Sequence, residues 1–486
     1  MYMKTYHKKN PSCAENMTFE ECELSILRQA VDENETLVGA KIANSEDVKK
    51  IIKILESFLI RKKRICYGGT AINNILPSFA QFYNRDIEIP DYDFFSDHAL
   101  EDAKELADIY YDAGYTEVEA KSGMHHGTFK VFVNFIPVAD ITYLEEQIYK
   151  SIQKEAISRA GIKYAPPNFL RMSMFLELSR PLGDVSRWEK VLKRLTLLNK
   201  YYPLKTNSCA TVDFQRDMEK DSNRSEKLYL TVRDTLIDQG VVFFGGYATS
   251  LYGRYMPAKR SRDVKKIPDF DVLSEDIDTC ALIVLESLKE AGFDKCKEIR
   301  HEAIGELIPE RIEILVEKET VAFIYKPIAC HNYNTITISD KQINVATIDT
   351  MLSFYLAFIY ADLPYFNKDR ILCMAEYLFD VEQQNRLEQK GLLKRFAISC
   401  YGKQARLEDI RAEKTKKYKE LAEKRGTRDY EMWFLKYIPE NNRNKPAKKL
   451  IEPKNSITEK EKPKPKKAKN TTVKKSKQVR FMELFK

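Results

Sequence analysis

Residues 89–96 read Ile-Pro-Asp-Tyr-Asp-Phe-Phe-Ser, and 178 positions later residues 267–274 read Ile-Pro-Asp-Phe-Asp-Val-Leu-Ser. Each copy follows an apolar strand pattern ending in a glycine pair, Ile65-Cys66-Tyr67-Gly68-Gly69 and Val242-Phe243-Phe244-Gly245-Gly246. Each precedes a helical pattern that stops at Gly114-Tyr115 or Gly292-Phe293, the glycine lying 21 residues beyond the second aspartate both times. Three elements in one order at a near-constant offset establish an internal duplication.

The repeated unit also has a chemistry. Side chains alternate along a strand, so Asp91 and Asp93 share a face while Tyr92 and Phe94 turn into the core. Two carboxylates on a short rigid segment repel unless a cation neutralises them, and oxygen ligands select magnesium or manganese. A third acid from a neighbouring strand would complete a two-metal site, which activates an attacking hydroxyl and stabilises departing pyrophosphate. Asp140, the one acid in the apolar stretch Ile136-Pro137-Val138-Ala139-Asp140-Ile141-Thr142, is the candidate. Gly68, Gly69 and Thr70 end a strand and open a helical run, Ala71 to Leu76. Backbone N–H groups at such a helix start suit a triphosphate, and glycine lets it come close.

This order of strand, Gly-Gly, Asp-x-Asp and later single Asp resembles the nucleotidyltransferase superfamily. The wording is more similar still to the poly(A) polymerase catalytic subunits of nucleocytoplasmic large DNA viruses, of poxvirus and giant-virus type. Tyr67-Gly68-Gly69-Thr70-Ala71-Ile72-Asn73, Asp91-Tyr92-Asp93-Phe94-Phe95-Ser96 and Leu170-Arg171-Met172-Ser173-Met174-Phe175 through Pro181 carry the resemblance, with Val185-Ser186-Arg187-Trp188-Glu189-Lys190 after them. It covers roughly residues 20–440 and implies an α+β, duplicated nucleotidyltransferase fold whose first copy is active and whose second is degenerate. It further implies template-independent transfer of adenylate from ATP to RNA 3′ ends with Mg2+ or Mn2+ held by Asp91, Asp93 and Asp140. Gly68, Gly69, Thr70, Asn73, Ser173, Arg187 and Lys190 become nucleotide-binding candidates. An exposed helix face explains Arg187 and Lys190 as well as a ligand does. The family implies either a homodimer or a separate processivity subunit, viral mRNA as substrate, and a place in the host cytoplasm, at the virus factory or packaged in the virion. One departure stands out: 21 residues separate Gly69 from Asp91, longer than the superfamily's usual gap. Two other readings remain, a nucleotidyltransferase for another acceptor (tRNA ends or oligoadenylate) and an inactive RNA-binding scaffold.

At 486 residues the chain has room for two or three cores. Its nine cysteines include no CxxC pair, which reads as thiols in a reducing compartment without structural zinc. The N-terminus lacks the apolar core of a signal peptide. Met351 to Ala361, the longest apolar run, is too short to span a bilayer and reads as a buried helix, so an intracellular protein without a membrane partner is expected. The net charge of +8 is unevenly placed: residues 445–486 hold 15 Lys/Arg against 4 Asp/Glu, and the other 444 residues sum to −3. RNA contact by the body must therefore come from local patches.

Five segments follow. Residues 1–44 read as an N-terminal arm with a short helix, Glu20 to Ala30. The catalytic domain covers 45–205, opening with a helix capped by Ser45 and continuing as strand, helix, strand, helix and two further strands. The degenerate copy covers 206–396, a charged helical region 397–440, and a disordered basic tail 441–486. In that tail Gln478, Phe481, Leu484 and Phe485 suit a short partner-docking helix. Lys259, Arg260, Arg262, Lys265 and Lys266, between the second copy's glycines and its aspartates, suit an RNA backbone, though a solvated loop explains them equally. The second copy keeps Asp269 and Asp271, and its third strand is expected to bring Arg311 near the missing carboxylate. His125 and His126 read as a loop before the strand at Thr128.

Overall fold

The computed structural model describes residues 13, 14, 16–204, 206, 209, 222–256 and 270–443. The arm is more regular than expected: α1 runs Phe19–Ala43, because Thr18 and Glu21 close a capping box and no proline interrupts the segment behind them. Ser45 accepts the Val48 N–H and starts α2 (Glu46–Lys62), whose buried face is Val48, Ile51, Leu55, Phe58 and Leu59.

The first copy then runs β1 (Ile65–Tyr67), α3 (Gly68–Ile75), β2 (Tyr92–Ser96), α4 (Ala99–Asp112), β3 (Val118–Ser122), β4 (Thr128–Val133) and β5 (Ile136–Tyr143). It finishes with α5 (Glu146–Glu155), β6 (Ile157–Arg159), β7 (Ile162–Tyr164), α6 (Pro167–Leu178) and α7 (Trp188–Tyr201). Three strands follow α4, not two. Val118–Ser122 is half polar (Glu119, Lys121, Ser122) and pairs as the outer partner of β4, so it lacked an apolar signature.

The second copy repeats the plan: α8 (Ser222–Asp238), β8 (Val242–Phe244), α9 (Gly245–Tyr252), β9 (Phe270–Leu273), α10 (Ile277–Glu290), β10 (Cys296–His301), β11 (Arg311–Val316) and β12 (Glu319–Tyr325). After β13 (His331–Ile338) and β14 (Lys341–Ala346) come α11 (Ile348–Phe358) and α12 (Lys368–Gln384). The chain ends with β15 (Cys400–Tyr401), α13 (Leu407–Glu420), α14 (Arg428–Phe434), β16 (Lys436–Tyr437) and α15 (Pro439–Arg443). The sheets are ordered β16-β3-β4-β5-β2-β1-β7-β6 and β10-β11-β12-β9-β8-β14-β13-β15. Apart from one added edge strand each, the two orders superimpose strand for strand. The pairing senses agree as well, with β2–β5 and β9–β12 parallel and β1–β2 and β8–β9 antiparallel.

The described residues up to 442 form one compact unit. The two copies meet where α6 lies along α11. Every residue of α11 is buried, its one acid, Asp349, being paired with Arg395. Phe169 meets Tyr360 edge-on at 5.3 Å, and the Asn332 N–H donates to the Ser179 carbonyl at 2.8 Å. The charged region after 396 is tied to both sheets. β15 joins the second sheet, and β16 returns to the first, where Tyr437 pairs with Ala120 and its hydroxyl donates to Asp108 at 2.9 Å. His126, in the expected turn, packs on Trp433 at 4.4 Å.

The expectation of thiols throughout does not hold. Cys13–Cys22, Cys209–Cys373 and Cys330–Cys400 are disulfide-bonded, leaving Cys66, Cys280 and Cys296 free. The β13–β15 pairing sets Cys330 and Cys400 5.2 Å apart at Cα, a tertiary proximity that cysteine counting cannot see. Among the described residues no helix is long and apolar enough to cross a membrane.

Beneath α11 and α12, Arg395 forms a fork on Asp349 (2.8 and 2.9 Å) and reaches Glu382 at 2.9 Å. Burial pushes the Glu382 carboxyl up to about 7, Arg395 opposing the rise and Asp349 adding to it. A folded-state value above the ordinary glutamate value of ~4.3 means the folded protein holds this proton more tightly. Its contribution to stability is therefore full in acid and lost as pH rises through about 7. Glu382→Gln, which leaves the Arg395–Asp349 pair in place, should flatten stability across that interval and raise it above neutrality. Chemical denaturation at stepped pH measures this.

Candidate active site

The site is built from strand register. β1 sets Tyr67 opposite Asp93, β5 sets Asp140 beside Asp93, and β4 sets Lys130 opposite Asp140. These four side chains form one row across the sheet, on the face away from α4. Lys130 makes a salt bridge to Asp140 and is the residue that sequence reading missed here. Its only signal was strand alternation with Thr128 and Phe132. Tyr67 stacks on Phe95 at 3.9 Å and shares a 2.8 Å hydrogen bond with Thr142, which holds the row's end rigid.

The carboxylates burden one another. Burial pushes Asp93 up to about 7, and the charges of Asp91 and Asp140 add to the rise. Asp91 is raised too, by burial and then by Asp140. The cations opposing this are Lys130 for both, Lys190 for Asp91 and Arg187 for Asp93. Such crowded hard oxygens suit a divalent cation. Among the described residues no three His, Cys, Asp or Glu side chains are already gathered around one point. The donors are presented on adjacent strands, with Lys130 holding Asp140.

The glycine pair serves two purposes. Gly68 has φ +71°, and a Cβ there would stand 2.5 Å from the Asp93 Oδ2 atom. A Cβ on Gly69 would meet the Tyr83 hydroxyl at 2.5 Å and the Arg194 guanidinium at 2.9 Å. Thr70 donates its hydroxyl to the Asp91 carbonyl at 2.6 Å, tying the helix start to the acid strand. Asn73 lines the pocket beside Asp91, and its side-chain oxygen accepts the Phe82 and Tyr83 N–H groups at 2.7 and 2.9 Å. It thereby pins the segment that makes the glycine-to-aspartate gap long. That segment folds back over the glycines, Tyr83 accepting from Arg194 at 2.5 Å, and walls a pocket of about 220 Å³ with Thr70, Asn74, Arg85, Pro90 and Asp91.

Arg187, Lys190 and Arg194 follow the i, i+3, i+7 spacing of one helix face at the start and along α7. Arg194 was not singled out from sequence, although it lies one turn beyond Lys190. Arg187 is held by Glu177 at 3.1 Å. Ser173 is exposed on α6 and bonds back to its own helix, at the Phe169 carbonyl, 3.2 Å away.

The second copy lacks the row. Its equivalent reads Phe244, Asp271, Phe323, Glu313, Ile299, so Phe323 occupies the place of Asp140. The expectation for Arg311 is corrected: it lies on β11 opposite Tyr325, buried, its guanidinium over the Tyr365 ring at 5.4 Å. β12, the strand after it, is the counterpart of β5. Asp269 and the basic cluster Lys259, Arg260, Arg262, Lys265 and Lys266 lie outside the described residues, as does the tail from 444 onward.

Comparison with known proteins agrees with this geometry. The Megavirus polyadenylate synthase crystal structure superimposes with a TM-score of 0.73, covering 90% of each chain at 18% identity. The architecture is therefore α+β and duplicated, a fold shared with that enzyme. Residues 53–184, from α2 past the carboxylate row, match the model of the poly(A) polymerase catalytic subunit family. An African swine fever virus protein (isolate Tick/Malawi/Lil 20-1/1983) named as such a subunit is 31% identical over 180 residues, 36% of this chain. Its counterpart in Acanthamoeba polyphaga mimivirus is 32% identical over 161 residues, 32% of this chain. The matched segments span 38% and 27% of those relatives' lengths.

The two glycines make separable predictions. Gly68→Ala places a side chain at positive φ against Asp93 and should cost about 1–2 kcal/mol. Gly69→Ala displaces only the flexible ends of Tyr83 and Arg194 and should change stability by well under ~1 kcal/mol. Urea denaturation of both variants reads the difference.

Proposed function

We propose that the chain is a polynucleotide adenylyltransferase that adds adenylates from ATP to RNA 3′ ends without a template, releasing pyrophosphate. The observation that carries this reading is the alignment of Asp91, Asp93 and Asp140 on one sheet face, within the segment that matches the family. Asp91, Asp93 and Asp140 are the residues that would hold divalent cations, which when bound lower the pKa of an attacking 3′-hydroxyl and neutralise the leaving pyrophosphate.

The chain's own groups supply the rest. The N–H groups at Gly69 and Thr70 open towards a phosphate, and Arg187, Lys190 and Arg194 on one helix face add positive charge beside it. The pocket beside Asp91, walled by Tyr83 and Pro90, suits the nucleoside. Lys130 holds the Asp140 carboxylate in place through their salt bridge before substrate arrives. Asn73 holds the Tyr83 segment and itself lines this pocket. Phe323 in place of a third carboxylate leaves the second copy without a complete acid set, which supports a structural role for it.

The relatives are viral proteins, which supports action on viral mRNA in the cytoplasm of an infected host. The term catalytic subunit in their names supports a separate processivity partner, and the family resemblance equally admits a homodimer. Primer extension by the chain alone, with each nucleoside triphosphate in turn and magnesium present, tests the central reading. A long ladder with ATP only is the expected result; one or two additions, or use of CTP, would refute it.

Within that assay, Asp93→Asn and Asp140→Asn should each lower turnover by orders of magnitude while the protein stays folded. Asn keeps shape and one oxygen but removes the charge. Asp271→Asn in the second copy should leave turnover within about twofold. A dead but folded Asp271→Asn protein would invert the assignment of the active copy.

A further inference from the structure

The carboxylate row does not stop at Lys130. β3 sets Lys121 opposite Lys130, and the C-terminal strand β16 sets Lys436 opposite Lys121. Three lysines on three adjacent strands thus continue in a line from Asp140 to the edge of the sheet. At the usual strand spacing of ~4.8 Å the line is about 14 Å long. We infer that this row is the track for the sugar–phosphate backbone at the 3′ end of single-stranded RNA, the terminal nucleotide lying at Asp140. The inference rests on the adenylyltransferase reading and adds the path that the acceptor takes.

Four observations carry it. First, like charges directly opposite across strands repel and cost stability, and although Asp140 pairs with Lys130 and Glu119 with Lys121, an anion laid over the ladder would relieve that repulsion further. Second, the lysines are within reach of solvent: the Lys121 side chain is 44% exposed, Lys130 is 39% exposed, and Lys436 is exposed. Glu119 lies 3.4 Å from Lys121, but an ion pair this exposed is weak and exchanges readily for phosphate. Third, Phe132 shares the face, its ring centroid 4.1 Å from the Lys121 ammonium, which sets an aromatic platform beside the cations. A basic groove with an adjoining aromatic ring is the combination that binds single strands without reading their sequence.

Fourth, the fold does not impose the row. At the same register the second copy has Glu313 in place of Lys130 and Ile299 in place of Lys121. Lys436 is delivered by a strand from beyond both copies, fixed by the Tyr437–Asp108 hydrogen bond and by Lys104 bonding Glu431 at 2.6 Å. Since Tyr437 turns towards α4, its neighbour Lys436 turns towards the open face, where Asp140 lies.

The test uses the full chain and a labelled oligo(A) primer, with neither ATP nor metal, and follows fluorescence anisotropy over a salt series. Lys121→Gln with Lys436→Gln should weaken primer binding about tenfold or more. It should also reduce the slope of log K against log salt by ~0.7 per lysine lost. Thermal stability should hold or rise as the repulsion is relieved, and KM for ATP at saturating primer should be unchanged. Binding and salt slope equal to the wild type would overturn the track, as would a loss that appears only with unfolding. The reversal Lys121→Glu with Lys436→Glu must weaken binding further for the electrostatic account to stand. A wild-type protein that shows this lysine dependence but incorporates no AMP would refute the enzymatic reading and leave the RNA track in place. One that extends primers while its lysine variants bind normally would do the reverse.

Discussion

The close approach of the Asp93 carboxylate to the Gly68 Cα is the constraint around which the first copy is arranged. The chain leaves β1, turns at φ +71° and starts α3 within one residue, and only an absent side chain lets β2 carry an acid against that turn. From there register does the rest: Asp93 locates Asp140, and Asp140 locates Lys130. The second copy meets the same demand at Gly245, φ +78°, with Asp271 against it. Retention of the glycine and acid in a copy that has lost its third carboxylate shows what the pair does for the fold. It shapes a strand-to-helix turn whether or not chemistry follows.

How legible each part was depended on whether its signal was local. The duplication was readable because a strand, a glycine pair and an alternating acid doublet are consecutive in the chain. The order of all seven shared strands was not, since pairing partners such as β1 with β7 are joined through distant sequence. Asp140 could be proposed as a single acid in an apolar run. Its partner Lys130 is set by a hairpin register that carries a bulge between Val131 and Phe132, which sequence spacing does not reveal. Arg311 was misplaced for a related reason, because strand β10, rich in Lys, Glu and Arg, gave no apolar period from which to count. Tyr83 was beyond sequence reading. The long gap from Gly69 to Asp91 looked like an insertion of unknown course, and it returns to the glycines through Asn73, itself expected to touch nucleotide.

The second copy's value to the first is mechanical. α11 is buried along its whole length and lies against α6, the helix that leads into the cationic face carrying Arg187, Lys190 and Arg194. Arg171 on α6 is fully buried and donates to Asn199 of α7 at 2.7 Å, so the angle between these two helices is set by a polar bond inside the core. Arg171 also donates to the Asn168 side chain and the Tyr202 carbonyl, and a buried charge so held is far costlier to disturb than a surface contact. The second copy thus contributes packing to the first whether or not it carries chemistry of its own.

The same logic explains where the sequence departs from what stability alone would favour. Asp93 and Asp140 stand at one end of a sheet row, with Asp91 just before it in the chain, and three lysines line the other, an arrangement in which each group sits beside its own sign. Local conflicts of this kind are expected at functional sites and are compensated elsewhere in the fold. Here the compensation is visible: Lys130 bridges the two ends, Tyr67 and Phe95 stack beneath the acids, and the Tyr437–Asp108 bond holds the last lysine strand in place. A sheet face organised from anion to cation along one row is polarised across its width. An anionic chain laid over it is attracted along the lysines and repelled at the carboxylates.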